Sequence, residues 1–216
     1  MGWSLTLVSC MPKPNDKKIK DVYNKIAEGF YNLRQQPITP EIRVMSHKWK
    51  PGKLLDVGCG IGNSTLPFAK SGFECTGIDI SPKMIKLAKK FSKKHGVKIN
   101  FKVGNVLSVK FEENKFDYVI SVAVLHHLDS EKKRLKALKE IKRVLKSNGK
   151  IFLTVWNRET KKDAYIPWTH KGIKYQRYYH FFDKEELKGF FEKAGFKKIE
   201  IFEDKNKKNI CVLASK

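Results

Sequence analysis

The stretch LLDVGCGIGN at residues 54–63 decides the fold class of this 216-residue chain. The apolar run that begins at Lys53 predicts a buried strand, and a glycine-rich turn follows it directly. In an open α/β sheet the ligand crevice lies at the carboxyl ends of the strands, where glycine lets a ligand touch the backbone. The stretch therefore predicts a doubly wound α/β fold with a ligand cradle at Asp56, Gly58, Gly60 and Gly62.

The spacing of these glycines separates two classes of cofactor. A dinucleotide fingerprint G-x-G-x-x-G counted from Gly58 requires glycine at position 63, where the chain has Asn63. The observed D-x-G-x-G-x-G pattern fits S-adenosyl-L-methionine better than a nicotinamide dinucleotide. A turn that only joins a strand to a helix is the alternative interpretation.

Two later strand ends complete the predicted cofactor site. Asp79 follows Asp56 by 23 residues, and we expect its carboxylate to accept hydrogen bonds from both ribose hydroxyls of an adenosine ligand. A helix cap is its alternative role. Asn105 is expected to accept from the exocyclic amine of adenine, although an acidic residue is more usual there. The predicted cofactor-binding residues are Asp56, Gly58, Gly60, Gly62, Asn63, Asp79, Ile80, Asn105, Val106 and Val122.

Outward from this stretch, helix and strand patterns alternate along the chain. The helical patterns cover 16–34, 40–49, 64–71, the residues between Ser81 and Gly96, those that follow a cap at Asp129 or Ser130, and 183–194. The strand patterns begin at Lys53 and continue at 73–80, 98–103, 116–122 and 150–156, with a turn at Asn148 and Gly149 before the last.

The last third of the chain breaks this alternation. KKIEIFE at 197–203 and ICVLAS at 210–215 are strand-like and joined by a polar linker, which predicts a hairpin. A mostly parallel sheet closed by an antiparallel hairpin indicates the seven-stranded, Rossmann-like methyltransferase variant of the doubly wound fold. We expect one domain at 15–216 and a flexible segment at 1–14.

The charge of the chain indicates a polyanionic partner. Lys and Arg number 45 against 22 Asp and Glu, which leaves a net charge of +23. Such a surface attracts nucleic acid, and RNA is the predicted substrate class. Only six of the basic residues are Arg, so a compositional bias toward lysine is the alternative explanation.

The cysteines and the first residues bear on the compartment. The four cysteines are scattered without a C-x-x-C pair, so the sequence predicts neither a zinc ribbon nor a disulfide framework. A reducing, cytoplasmic location is expected. The apolar first ten residues are too short to span a bilayer, and we predict no membrane partner.

Several segments resemble one family of class I methyltransferases. They are VYNKIAEGFYNLR (22–34), VGCGIGN (57–63), ISVAVLHHLDS (120–130), ALKEIKRVLKSNGKIFLTVWN (137–157), and IPW (166–168) with RYYHFFDKEELKGFFEKAGF (177–196). The chain resembles the tRNA wobble-uridine carboxymethyl methyltransferases, including the methyltransferase domain of the AlkB-homologue tRNA modifiers. The resemblance implies methylation of the carboxylate of 5-carboxymethyluridine in tRNA, and a small zinc-containing activator subunit. Asn105 departs from the usual pattern.

A carboxylate nucleophile sets modest chemical demands. With a pKa of about 4 it is already ionised at neutral pH, so it needs orientation rather than a general base. Arg34 and Arg177 are predicted to hold it, and His126 is the third predicted catalytic residue. No metal ligands are expected. The predicted substrate-binding residues are Tyr23, His127, Trp156, Tyr178 and His180; the last two follow from an expected alternation of exposed and buried residues through 178–182.

Three alternatives remain open from the sequence. A methyltransferase acting on a small metabolite would share the cofactor site, and its excess lysine would be compositional. A nucleotide-dependent oxidoreductase is disfavoured by Asn63 and by the lack of a second βαβ half. A catalytically silent RNA-binding subunit would bind RNA without transferring a methyl group.

Overall fold

A seven-stranded sheet forms the centre of the molecule in the computed structural model, which describes residues 6–7, 15–158 and 163–216. The strands along the chain are β1 (Thr6–Leu7), β2 (Lys53–Val57), β3 (Glu74–Asp79), β4 (Asn100–Val103), β5 (Phe116–Val122), β6 (Leu145–Trp156), β7 (Ala164–His170), β8 (Ile173–Tyr179), β9 (Lys197–Glu203) and β10 (Asn209–Ser215). Strands β4-β3-β2-β5-β6-β10-β9 form the large sheet in that order, and β1-β7-β8 form a small one.

The pairing directions confirm the predicted fold class. Strand β2 pairs in parallel with β3 and β5, β3 with β4, and β5 with β6, whereas β10 runs antiparallel to β6 and β9. Because all the parallel strands point the same way, their carboxyl ends meet at one edge of the sheet. The fold therefore places the ends of β2, β3, β4 and β5 side by side.

Helices cover both faces of the large sheet. They are α1 (Asp16–Leu33), α2 (Glu41–Lys48), α3 (Leu66–Lys70), α4 (Pro82–Lys94), α5 (Glu131–Val144) and α6 (Lys184–Lys193), with a 3-10 turn at Leu125–His127. One core packs α5 and α6 against alternate residues of the central strands, and a second packs α2 and α3 against the residues between them. This explains why the central strands carry apolar residues on both faces.

The helix starts follow from their caps. The Ser81 hydroxyl accepts from the backbone N–H of Met84 at 3.1 Å and begins α4. The sequence left Asp129 and Ser130 as candidates for the N-cap of α5. Ser130 is the cap, since its hydroxyl accepts from Lys133 N–H at 3.4 Å.

The prediction of a turn before the strand, at Asn148 and Gly149, is wrong. Strand β6 already begins at Leu145, one residue after α5 ends. Leu145 pairs with Phe116 and Lys150 pairs with Tyr118, so the intervening residues of β6 bulge out of the ladder. The turn residues therefore lie within an irregular strand rather than between two elements.

The hairpin of β7 and β8 was not predicted, although it carries part of the site. Its two-residue turn is Lys171 and Gly172, with φ values of 50° and 77°. Positive φ at both positions is the geometry of a type I′ turn, which matches the twist of the two strands. Aromatic and β-branched residues on both sides of Lys-Gly were the sequence signal for it.

The N-terminal segment meets this hairpin. Within the segment expected to be flexible, Thr6–Leu7 pairs antiparallel with β7, Thr6 lying opposite Tyr165. The other residues of 1–14 lie outside the described residues. Over the described ranges, no helix has the length and apolar character required to cross a bilayer.

Candidate functional site

A cavity opens at the carboxyl edge of the parallel strands, beneath helix α1. The glycine turn after β2 forms its floor. A Cβ on Gly58 would lie 2.3 Å from Val124 Cγ2, so glycine is required there for packing, whereas one on Gly60 would meet nothing closer than a Phe30 ring atom at 3.9 Å. The backbone of Gly60 is therefore open to a ligand in the cavity.

Asp79 lies beside this turn at the end of β3. Its Oδ2 accepts from Gly60 N–H at 3.0 Å and its Oδ1 from Ser81 N–H at 2.8 Å. Burial raises the pKa of the Asp79 carboxyl to about 6, against the lowering effect of these two hydrogen bonds. Because a carboxylate has about four acceptor sites, each oxygen keeps one for a hydroxyl of a ligand in the cavity.

Asp56 lies deeper, at the end of β2. The Thr65 hydroxyl donates to its Oδ2 at 2.6 Å, and the residue is only 1% exposed. Burial raises the pKa of Asp56 to about 7, a shift that the Thr65 hydrogen bond reduces. Asp56 thus borders the cavity and ties the end of β2 to Thr65 at the start of α3.

Gly104, Asn105 and Val106 line the cavity after β4, together with Ile80. The Asn105 Oδ1 accepts from Leu107 N–H at 2.9 Å, so the oxygen expected to meet adenine is already engaged within its own loop. The Asn105 amide instead donates to Asp16 Oδ2 at 3.0 Å. Asp16, from the first turn of α1, also lines the cavity and was not predicted.

The opposite end of the cavity is cationic and aromatic. It is lined by Phe30, Arg34, Val122, Trp156, Arg177 and Tyr179. The Arg177 guanidinium lies 4.9 Å from the Trp168 ring centre and 5.3 Å from that of Tyr179. Arg177 is 6% exposed and its Nε has no hydrogen-bond partner. Among the described residues, no Asp or Glu forms an ion pair with it.

Tyr23 and His127 form the wall between these two ends. The His127 Nδ1–H donates to the Tyr178 carbonyl at 2.8 Å, so its Nε2 accepts from the Tyr23 hydroxyl at 2.6 Å. Burial lowers the pKa of His127 to about 3, with the Tyr178 hydrogen bond opposing it and the Arg177 charge adding to it. The imidazole is therefore neutral at physiological pH, and burial likewise raises the pKa of the Tyr23 hydroxyl.

The comparisons with known proteins identify a methyltransferase. A family model described as a methyltransferase domain matches residues 55–153. The tRNA (carboxymethyluridine(34)-5-O)-methyltransferase of Schizosaccharomyces pombe is 30% identical over 230 residues, covering 92% of this chain and 96% of the relative. The Arabidopsis thaliana protein of the same name is 32% identical over 174 residues, and the alignment covers 80% of this chain and 41% of the relative.

This chain is a class I S-adenosyl-L-methionine-dependent methyltransferase, in the family of these two relatives. Among solved structures, the 1,6-didemethyltoxoflavin-N1-methyltransferase of Burkholderia thailandensis, crystallised with S-adenosylhomocysteine, has a TM-score of 0.72 at 19% identity, covering 98% of this chain and 94% of that one. A Pyrococcus horikoshii protein has a TM-score of 0.69 at 24% identity, and the match covers 82% of this chain and 87% of that one. These structures share the fold, and the family assignment removes the oxidoreductase alternative.

The cofactor of the methyltransferase is S-adenosyl-L-methionine, and the cavity fits it. The open backbone of Gly60 and the two free acceptor sites of Asp79 suit a ligand that carries a ribose diol. The predicted cofactor residues all lie at this cavity or in the turn beneath it; Gly62 lies in the turn, where a Cβ would clash with the Phe101 ring at 2.6 Å. Asn63 lines the cavity and its amide donates to the Gln36 carbonyl at 2.7 Å.

His126 lies behind the cavity of the methyltransferase rather than in its lining. Its ring packs 4.7 Å from that of Tyr179, and Trp156 N–H donates to its Nδ1 at 3.3 Å. Burial lowers the pKa of His126 well below the usual value. Of the two histidines, His127 is therefore the one that reaches the cavity.

Tyr178 and His180 also lie outside this cavity. The Tyr178 hydroxyl accepts from Arg134 Nη2 at 3.3 Å, and His180 lies between Asp163 at 2.7 Å and Glu186 at 2.8 Å. The expected alternation of burial is wrong because both sides of β8 are covered at this point. Tyr178 packs against Tyr165 and Arg134, and Tyr179 packs against His127 and Trp156, so both are buried.

Tyr179 is the aromatic residue of β8 that lines the cavity, and sequence reasoning missed it. Side chains two apart in a strand lie on the same side, so Tyr179 follows from Arg177 once β8 is recognised. Over the described ranges, no three His, Cys, Asp or Glu side chains are grouped to hold a metal ion.

Proposed function

We propose that this methyltransferase esterifies the carboxylate of a 5-carboxymethyl group on the wobble uridine of tRNA. The observation that carries the proposal is Arg177, a buried cation at the methyl-donor cavity without an acidic partner among the described residues. A buried cation is costly unless an opposite charge accompanies it. An anionic substrate that enters beside Arg177 would supply that charge, and Arg34 lines the same end of the cavity.

The environment of Arg177 supports a carboxylate as the nucleophile. S-adenosyl-L-methionine supplies an electrophilic methyl group, and transfer forms a C–O bond as the C–S bond breaks, leaving a neutral ester and a neutral thioether. Opposite charges therefore disappear, which a site closed to water favours over water itself. Packing of Arg177 with Trp168 and Tyr179, and of Tyr179 with Trp156, buries this end of the cavity.

The residues of the chain have orienting roles in this proposal. Arg177 and Arg34 hold the carboxylate, which is ionised at neutral pH and needs no base. His127 is neutral and engaged on both nitrogens, so it fixes the Tyr23 hydroxyl rather than moving a proton. Positioning of this kind supplies on the order of 7–11 kcal/mol in favourable cases.

Charge and aromatic residues support RNA as the carrier of this carboxylate. The chain has a net charge of +23, and Arg158 lies 5.7 Å from the ring centre of Trp156 at the cavity. Bases displaced from an RNA loop stack on aromatic rings and guanidinium planes of this kind. The relatives named as tRNA carboxymethyluridine methyltransferases add to this support. A small zinc-containing activator subunit and a cytoplasmic location stay predictions.

The test is incubation of tRNA with S-adenosyl-L-methionine labelled on the methyl group, with and without a candidate activator, followed by nucleoside mass analysis. We expect one added methyl on 5-carboxymethyluridine, which mild alkali removes because it is an ester. Label on another nucleoside, or only on small metabolites in a cell extract, contradicts the proposal. RNA binding with no transfer to any substrate would identify a silent binding subunit.

A further inference from the structure

The first turn of α1 places a carboxylate, that of Asp16, in the cofactor cavity. Asp16 lines the cavity next to Asn105 and Val106, and Ile19 lines it one turn further along the same helix. Within the described part of the chain, three acidic side chains line the cavity, Asp16, Asp56 and Asp79, and Asp16 is the one on α1 and the one bonded to Asn105.

The contacts of Asp16 leave part of its acceptor capacity free. Its Oδ2 accepts from the Asn105 amide at 3.0 Å and its Oδ1 from Lys133 Nζ at 3.1 Å. Burial raises the pKa of Asp16, but these two hydrogen bonds outweigh it and the pKa is lowered, so the group is ionised at neutral pH. A carboxylate accepts about four hydrogen bonds, and two sites remain.

The neighbouring loop offers an amine fewer acceptor sites than Asp16 does. The Asn105 Oδ1 accepts from Leu107 N–H at 2.9 Å, which leaves it one lone pair, and the Asn105 Nδ2 is a donor that faces Asp16. Ile80 and Val106 are apolar side chains suited to the faces of a flat ring. An exocyclic amine on the edge of such a ring needs an acceptor, and Asp16 offers it two free sites and a negative charge.

We propose that Asp16 accepts a hydrogen bond from the 6-amino group of the adenine of S-adenosyl-L-methionine, and so makes helix α1 part of adenine recognition. Asn105 then orients Asp16 through its amide instead of contacting the amine itself. The proposal concerns the cofactor alone and stands whether or not tRNA is the substrate.

An alternative role for Asp16 is structural. Lys133 also donates to Asp129 Oδ2 at 2.9 Å, so Asp16 joins a bridge that ties the start of α1 to α5. A bridge of this kind would affect every ligand of the cavity to the same extent. Direct contact with the amine would affect only ligands that carry it.

Calorimetry on the full chain with two ligands separates these roles: S-adenosylhomocysteine and its analogue that lacks the 6-amino group. We expect the wild-type protein to bind S-adenosylhomocysteine about tenfold or more tightly than the analogue, since hydrogen bonds to charged groups are of this strength. In Asp16→Ala we expect the two ligands to bind with nearly equal affinity.

Lys133→Met is the matched control, because it removes the bridge and keeps the carboxylate. We expect this variant to retain the preference for the amino ligand. Asp16→Asn, a milder change that preserves the shape of the side chain, provides the same measurement if Asp16→Ala folds poorly, and we expect a reduced preference. Equal binding of both ligands by the wild type, or an unchanged preference in the Asp16 variants, overturns the proposal.

Discussion

At the scale of single residues, Arg177 joins the proposed substrate to the fold. It extends from β8 into a buried setting between two aromatic rings, with its Nε unpaired. Its position in the cavity makes it available to an anion.

We expect Arg177→Met to reduce kcat/KM for the RNA substrate by roughly a hundredfold, because about 3 kcal/mol of charged hydrogen bonding to the carboxylate is lost. Binding of S-adenosylhomocysteine should change by no more than about threefold, since Asp79 and the glycine turn remain. Arg43→Met on the exposed surface is the control, with activity as in the wild type. Equal activity of the two variants would contradict the assignment.

Asp56 permits a second residue-scale prediction, which concerns stability. Its pKa is raised by burial to about 7, above the unfolded value near 3.8, so the folded state favours the protonated form. Its contribution to stability is therefore present at low pH and is lost as the pH rises from about 4 to about 7.

We expect Asp56→Asn to stabilise the protein at pH 8 by on the order of 2 kcal/mol, because the amide oxygen still accepts from Thr65 and no charge is buried. The gain should disappear near pH 4, where the wild-type carboxyl is protonated. Urea unfolding across this pH range measures it, and a variant that is less stable than the wild type at pH 8 would refute the argument.

At the scale of elements, the β7 and β8 hairpin holds Arg177 and Tyr179 in place. Its turn puts Lys171 at φ 50°, a left-handed conformation that costs a non-glycine residue about 1 kcal/mol. Asparagine tolerates this conformation better, and Asn-Gly is the preferred pair for such a turn.

We therefore expect Lys171→Asn to raise the free energy of unfolding by about 0.5–1 kcal/mol. The lost ion pair with Glu28 is exposed and contributes little. Gly172→Val should lower the free energy of unfolding, since Gly172 has φ 77° and a branched side chain is strained there. Thermal unfolding of both variants tests the turn; a destabilised Lys171→Asn would mean that another interaction of the lysine dominates.

At the scale of the whole molecule, the net charge of +23 predicts how RNA binding responds to salt. If the surface contacts several phosphates, the affinity for tRNA should fall at least tenfold between about 50 and 200 mM salt. Binding of S-adenosylhomocysteine, which is held by buried groups, should stay nearly constant and serves as the control. If the affinity for tRNA does not change with salt, the excess of lysine reflects a compositional bias and not contacts with phosphates.

The sequence was most informative where local pattern determines structure. The glycine turn, Asp79 and the hairpin at the end of the chain follow from residue spacing alone, and all lie where they were expected. Three features of the site did not follow from spacing: the positions of Asp16 and Tyr179, and the fact that His127 rather than His126 lines the cavity. They depend on how α1 and β8 pack across the sheet edge. Contacts between residues that are distant in the chain, such as Asp16 and Asn105, leave no mark in the spacing of either segment.

Helix α1 borders the cavity from Asp16 at its first turn to Phe30 near its last, and Arg34 follows as its C-cap. The same helix therefore borders the sites proposed for the methyl donor and for the acceptor. If the bound donor orders this helix and so completes the acceptor pocket, the two substrates should bind in compulsory order. S-adenosylhomocysteine should then inhibit competitively against the donor and non-competitively against RNA.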